Sequence, residues 1–212
     1  MIIVIRNKGL VEPEAFTLLG ASTKRGDNSK IGMFGSGNKY AIAYLLRNGF
    51  GFKVYSGKQE IRFGLQAAQF RDKAFNVITV NDKETSITTE TGPDWKLWQA
   101  IRELYSNALD EGEGVMEAFD LTEPTKVKLQ EGTTTMVIYG RVDMHREQLA
   151  KFHKTKDLYF QEDDTRWLYK DSKGRKIYEG NKGIVYRRGI RCVPIENEAG
   201  LFNDSVFHYD LP

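Results

Sequence analysis

Cysteine is almost missing from this sequence: Cys192 is the only one in 212 residues. No internal disulfide can form, and a reducing, cytoplasmic setting is the simplest expectation. Histidine is scarce as well. His145, His153 and His208 match no zinc-ligand spacing, which argues against a metal held by His and Cys. No apolar run is long enough to span a bilayer. The opening Met1-Ile2-Ile3-Val4-Ile5-Arg6 lacks the basic start and cleavage site of a signal peptide. Charge of one sign is not in excess: 31 Lys and Arg against 29 Asp and Glu leave a net +2. Bulk charge therefore makes no case for nucleic acid or an anionic membrane as partner. There is no internal repeat, no low-complexity tract and no Gly-x-Ser-x-Gly nucleophile elbow.

The composition that remains, 40% hydrophobic and 28% charged, is that of a soluble globular protein. The length fits one large domain, or a domain with an appendage, and suffices for a real core. Residues 1–6 read as a buried strand closed by the turn Asn7-Lys8-Gly9. Glu12 to Leu19 reads as a short helix with Pro13 in its first turn. Residues 20–30 are polar and read as a loop. Tyr40 to Leu46 is predicted helical, ending near Asn48-Gly49. From Gly51 to Thr91 the text is strand-like, with runs at Phe52–Tyr55, Glu60–Phe63, Val77–Val80 and Ser86–Thr88. A second helix is predicted from Trp95 to about Asp110, with Asp94 as N-cap and Gly112 and Gly114 beyond its end. A hairpin is expected from Thr125–Leu129 and Thr133–Tyr139 through Glu131-Gly132. His145 to Phe152 looks helical, 161–183 shows no period, and Ile184–Arg187 and Ile190–Val193 read as strands. The ending Ser205–Pro212 has no stop signal, so the chain is expected to be a piece of a longer protein.

Two places carry chemistry. In the predicted second helix, Glu103, Asn107 and Asp110 stand at i, i+4 and i+7, on one narrow stripe. Leu97, Trp98, Ile101, Leu104, Tyr105, Ala108 and Leu109 fill the opposite arc. Periodicity alone is satisfied by a solvated face. The functional alternative is specific: a carboxylate can deprotonate a water attacking a γ-phosphate. An amide oxygen one turn on can complete a magnesium shell made mostly of water and phosphate.

The second place is Ile31-Gly32-Met33-Phe34-Gly35-Ser36-Gly37-Asn38-Lys39, which leads directly into a helix. Glycines let backbone N–H groups approach phosphate, and the helix N-terminus adds its dipole and free donors. Lys39 supplies a point charge. A plain loop or a tight packing site is the competing reading. The run is not a Walker A loop, since the Gly-Lys-Ser/Thr ending is missing, and no strand precedes it as in a dinucleotide-binding fingerprint.

Together these segments resemble the GHKL (Bergerat-fold) ATPases. Arg102-Glu103-Leu104-Tyr105-Ser106-Asn107-Ala108-Leu109-Asp110 resembles their N-box. The resemblance implies Glu103 as general base, Asn107 as magnesium ligand and Asp110 beside the nucleotide. The segment 31–39 resembles the second glycine box, implying phosphate contacts from Gly32, Gly35, Ser36, Gly37, Asn38 and Lys39. Ser22, Thr23 and Lys24 resemble the ATP lid, Val4 to Gly9 the strand and turn of the first glycine box, and Gly132-Thr133 the Gly-Thr near adenine. Asn7 and Gly9 then fall at the base, with Asn7 where the family has an Asp, and Leu10 or Val11 replaces the box's second glycine. An Asn oxygen accepts from the adenine amino group, and a flipped Asn amide donates to a guanine carbonyl. Adenine is the expected base. The N-box comes last here, which implies a circular permutation with Thr91–Asp94 near the junction. Permutation is tolerable because a pocket needs proximity in space rather than chain order.

The expectation is an α/β (α+β) two-layer sandwich, with a mixed β-sheet and helices on one face. Residues 1–150 would form the ATP-binding domain, and 151–212 a sheet extension or C-terminal appendage. The function implied is Mg2+-dependent ATP binding and slow hydrolysis, with lid closure coupling nucleotide to a protein partner or a further domain. The alternatives are a non-catalytic nucleotide-gated module, or a nucleic-acid or protein interaction domain that has lost ATP. For the latter, Lys182, Arg187, Arg188 and Arg191 form a basic hairpin, though a solvated strand face is the preferred reading of it.

Overall fold

The computed structural model describes residues 2–18, 36–119, 127–140, 167–179, 184–187, 190–194 and 207–211. The chain divides into two compact units, Met1–Ala150 and Lys151–Pro212.

The first unit is built on β1 (Ile2–Lys8). Its run of β-branched residues suits a central strand buried on both sides, and Ile2, Ile3, Val4 and Ile5 are all buried. β1 lies between β7 (Val115–Phe119) and β8 (Thr133–Tyr139), and β8 in turn pairs with β2 (Gly51–Ser56), which pairs with β3 (Gln59–Ile61). Every pairing in this five-stranded sheet is antiparallel. The mixed sheet expected from the sequence is thus corrected for this unit: its neighbouring strands all run in opposite directions. β8 makes no hairpin with the segment before it, since 127–129 is not strand. Its Thr-rich start and apolar end are used instead as a central strand between β1 and β2.

Three helices are described: α1 (Glu14–Thr17), α2 (Gly37–Arg47) and α3 (Leu97–Glu111). α2 packs on α3 and on β2, while α3 packs on β1 and β7, so both lie on one face of the sheet. Alanines make that packing close: Ala41 and Ala43 of α2, and Ala100 and Ala108 of α3, are fully buried. Ile101 and Leu104 add the apolar mass, each contributing about 2–3 kcal/mol relative to exposure. α3 starts after Lys96, not at Asp94, because Gln99 Oε1 accepts the Lys96 N–H at 2.8 Å and closes the first turn.

A separate three-stranded meander follows β3: β4 (Phe63–Phe70), β5 (Lys73–Val80) and β6 (Lys83–Thr88). The expected strand Glu60–Phe63 is broken at Arg62, where the chain leaves one sheet for the other. Phe63 anchors the meander, its ring centre 5.4 Å from that of Phe16 and 5.1 Å from that of Phe52.

The second unit forms a sheet of its own from β9 (Tyr169–Lys170), β10 (Lys176–Glu179), β11 (Ile184–Arg187), β12 (Ile190–Pro194) and β13 (Phe207–Leu211). Its order is β12-β11-β13-β10-β9, with one parallel pairing, β11 to β13. The helix expected at His145–Phe152 lies outside the described residues, as do Lys182 and Arg188. The backbones of Arg187 and Arg191 sit in β11 and β12.

Candidate functional site

The face of the sheet that carries the helices also carries a cleft. In β1, Ile3, Ile5 and Asn7 share that face by strand alternation. The register brings Asn7 opposite Thr134, and Ile5 opposite Met136. Asn7, Thr134 and Met136 form the floor, α1 with the residues before it forms one wall, and α2 and α3 form the other. The cavity is about 630 Å3, within the range of about 300–1,000 Å3 typical of small-molecule sites.

One contact organises it. Gly37 opens α2, and Glu103 projects from α3, so that a Cβ on Gly37 would overlap the Glu103 carboxylate. Glycine at 37 is what lets the Glu103 carboxylate lie there. The carboxylate lies beside the first turn of α2, where the helix dipole favours an anion. One turn further along α3, Asn107 Nδ2 donates to Glu103 Oε1 at 3.3 Å. Asn107 therefore turns its Oδ1 away from the carboxylate, leaving an amide oxygen for another group.

Lys39 lines the cleft although only 2% exposed, and burial holds its ammonium below the ordinary Lys pKa. Asn38 donates to Ala15 O at 3.2 Å, tying α2 to α1, while its Oδ1 is buried without a hydrogen bond. At the floor, Asn7 is 6% exposed and donates from Nδ2 to Lys8 O at 2.7 Å. Its Oδ1 is then the group left to meet a donor. Thr134 Oγ1 donates to Gly9 O at 2.9 Å and keeps its lone pairs. Gly9, with φ of 91°, makes the left-handed turn that carries the chain from β1 to the cleft wall.

The cleft gathers Asn7, Gly9, Gly37, Asn38, Lys39, Glu103 and Asn107 of the residues singled out in the sequence. Ser36 stands at the N-cap of α2 with no side-chain capping bond and does not line the cleft. Asp110 is 6% exposed, buried further along α3, and also off the cleft wall. The Thr133 hydroxyl donates to Gln130 O at 2.8 Å, and the next residue, Thr134, is the one lining the cleft. Ser22, Thr23, Lys24, Gly32 and Gly35 lie outside the described residues.

Sequence reasoning misses the rim. Glu12, Glu14 and Glu111 line the cleft, so its described side chains carry four carboxylates with Glu103, against the ammonium groups of Lys8 and Lys39. No three His, Cys, Asp or Glu side chains converge on a point among the described residues. A cation bound here would have to take most of its ligands from elsewhere, as magnesium does from water and phosphate.

The class defined by fold and site is an α/β two-layer unit, an antiparallel sheet with helices on one face and a cleft, apolar over most of its lining, between the layers. Compared with known proteins, the chain matches no family model, no curated protein and no solved structure.

Proposed function

We propose that this cleft binds ATP with Mg2+ and hydrolyses it slowly, as the resemblance to GHKL ATPases implies. One observation carries the reading: the Glu103 carboxylate meets Gly37 at the start of α2, so an acid-bearing helix and a glycine-opened helix enclose one cavity.

The triphosphate lies toward the first turn of α2, where backbone donors and the helix dipole meet phosphate. Lys39 adds a positive charge in a setting where desolvation strengthens it. Asn107 Oδ1 holds the magnesium, which when bound neutralises phosphate charge and fixes its geometry. Glu103 takes a proton from a water as that water's oxygen bonds to the γ-phosphorus. The bond from phosphorus to the β–γ bridging oxygen breaks, giving ADP and inorganic phosphate, and Glu103 returns its proton to solvent or product. Asn7 Oδ1 and the Thr134 hydroxyl oxygen accept from the exocyclic amine of adenine. One Nδ2 hydrogen is committed to Lys8 O, which turns the Asn7 Oδ1 toward a donor such as the adenine amine.

The carboxylate excess makes binding depend on the cation. Calorimetric titration with a non-hydrolysable ATP analogue is expected to give one site per chain with Mg2+ and little binding in EDTA. Asn107→Ala is expected to weaken the Mg2+-supported affinity at least about tenfold. No heat and no thermal stabilisation with analogue, ATP or ADP would sink the proposal. Binding without phosphate release would turn it into a non-catalytic nucleotide-gated module.

A further inference from the structure

The meander treats its two edges differently. β6 carries Lys83 and Glu84, and its pairing with β5 shifts register between Val77 and Thr79. Charge and a bulge are common guards of a free edge. β4 has neither. Phe63-Gly64-Leu65-Gln66-Ala67-Ala68-Gln69-Phe70 contains no charge and no proline, and it pairs with β5 residue for residue without a shift. Leu65 is 47% and Phe70 67% exposed. Among the described residues no strand pairs with the outer side of β4.

The ladder determines which backbone groups point outward. Arg62 O accepts from Asn81 N–H at 2.8 Å, so Arg62 turns its polar groups toward the β5 side. Polar groups alternate sides along an antiparallel strand. Gly64, Gln66, Ala68 and Phe70 therefore bond to β5, while Phe63, Leu65, Ala67 and Gln69 present N–H and C=O to the outside.

We propose that this edge pairs antiparallel with the same edge of a second copy of the chain, about a two-fold axis at Ala67. In that register Ala67 faces Ala67, Leu65 faces Gln69, Gly64 faces Phe70, and Arg62 faces Asp72 of the second copy. Leu65, Ala67 and Gln69 each exchange both backbone bonds across the axis. Three features select a second copy over a foreign strand. Arg62, which pairs with Asp82 of its own chain at 2.7 Å, and Asp72, in the turn that follows β4, are both exposed, so opposite charges approach at both ends of the paired strands. The exposed Phe70 ring lands over Gly64, which has no side chain to obstruct it. Alanine at the axis lets the backbones close. Two-fold symmetry makes each contact twice.

The test is sedimentation equilibrium of the full chain over a wide concentration range, with two variants, and oxidative crosslinking of two more. The parent chain is expected to dimerise reversibly. Ala67→Pro removes only an outward N–H, so the bonds to β5 survive. It is expected to weaken dimerisation at least about tenfold with an unchanged circular dichroism spectrum. Leu65→Lys, at an exposed position, is expected to do the same and serves if the proline variant misfolds. Ala67→Cys is expected to form a disulfide dimer on mild oxidation, since directly opposed residues stand about 5.5 Å apart between Cα atoms. Glu84→Cys on β6, and the parent with Cys192 alone, are expected not to. A parent chain that stays monomeric overturns the proposal. So does a dimer untouched by both Ala67→Pro and Leu65→Lys, or an Ala67→Cys chain that crosslinks no faster than Glu84→Cys.

Discussion

The Glu103 carboxylate fills the space that a side chain on Gly37 would occupy. This contact joins the two helices that wall the cleft. Gly37→Ala separates stability from activity there. Alanine is a better helix former than glycine by about 1 kcal/mol, which offsets part of the clash. The atoms it displaces are the far end of a flexible side chain, so Glu103 swings away while the helices stay. The expected outcome is a thermal midpoint within a few degrees of the parent and a phosphate-release rate at least about tenfold lower. A variant that hydrolyses ATP at the parental rate would show that the position of Glu103 is immaterial to the reaction.

Glu103→Gln keeps the size and the hydrogen-bonding reach of the side chain but removes the base. Loss of general-base catalysis lowers turnover by about 10²–10⁴-fold. Binding of the ATP analogue should persist, because the residue proposed to hold the cation is Asn107 and the base contacts come from Asn7 and Thr134. Single-turnover phosphate release, with calorimetry in parallel, checks both halves. Parental hydrolysis by this variant removes Glu103 from the chemistry.

Some of this site is legible in the sequence and some is not, for physical reasons. Glu103 and Asn107 can be read because a helix repeats every 3.6 residues, so their spacing alone puts them on one stripe. That this stripe faces a cleft and not solvent is a tertiary fact, set by the packing of α3 against α2 and β1. Thr133, Thr134 and Thr135 are chemically identical, and only the pairing of Asn7 with Thr134 decides which hydroxyl faces the helices. β7 escapes notice because Val115–Phe119 is short and mostly exposed, and it gains strand character from β1 beside it. The break at Arg62 escapes too, since Glu60 to Phe63 carries one continuous strand pattern across two sheets.

Lys39 makes the binding step sensitive to pH. Burial lowers its pKa from the ordinary 10.5, so between the lowered value and 10.5 the unfolded chain holds a proton that the folded chain has lost. In that interval the unfolded state binds more protons, and the Lys39 contribution to stability rises with pH. Nucleotide has the opposite dependence. A bound triphosphate favours the ammonium form, so affinity falls as pH climbs through the lowered pKa, and binding there takes up a proton. Titrations at alkaline pH in buffers of different ionisation enthalpy should show that uptake. In Lys39→Met the pH dependence should flatten, with affinity lower at neutral pH. An alkaline profile identical in parent and variant would mean that Lys39 does not meet the phosphates.

Arg47, in the last turn of α2, holds the entrance to α3. Its guanidinium donates to the carbonyls of Thr89, Thr91 and Gly92, the last at 3.0 Å, and it lies 5.8 Å from the Tyr44 ring centre. These carbonyls belong to the stretch joining β6 to α3, so one side chain ties the end of α2 to the approach of the Glu103 helix. Hydrogen bonds from a charged donor are worth about 1.5–3 kcal/mol each, and bonds sharing one guanidinium are not additive. Arg47→Ala is therefore expected to cost about 1.5–3 kcal/mol in urea unfolding, the range for a hydrogen bond from a charged donor. Proteolytic cleavage within 89–94 should rise with it. Arg47→Lys should recover less than half of the loss, because a single ammonium lacks the planar fork that reaches several carbonyls at once. Turnover should fall in the alanine variant even at temperatures where it is fully folded, since a loosened start lets α3 shift and carries Glu103 off Gly37. If Arg47→Ala unfolds at the parental urea concentration, the carbonyl cluster is a surface contact without consequence, and the placement of α3 must rest on its packing with α2, β1 and β7.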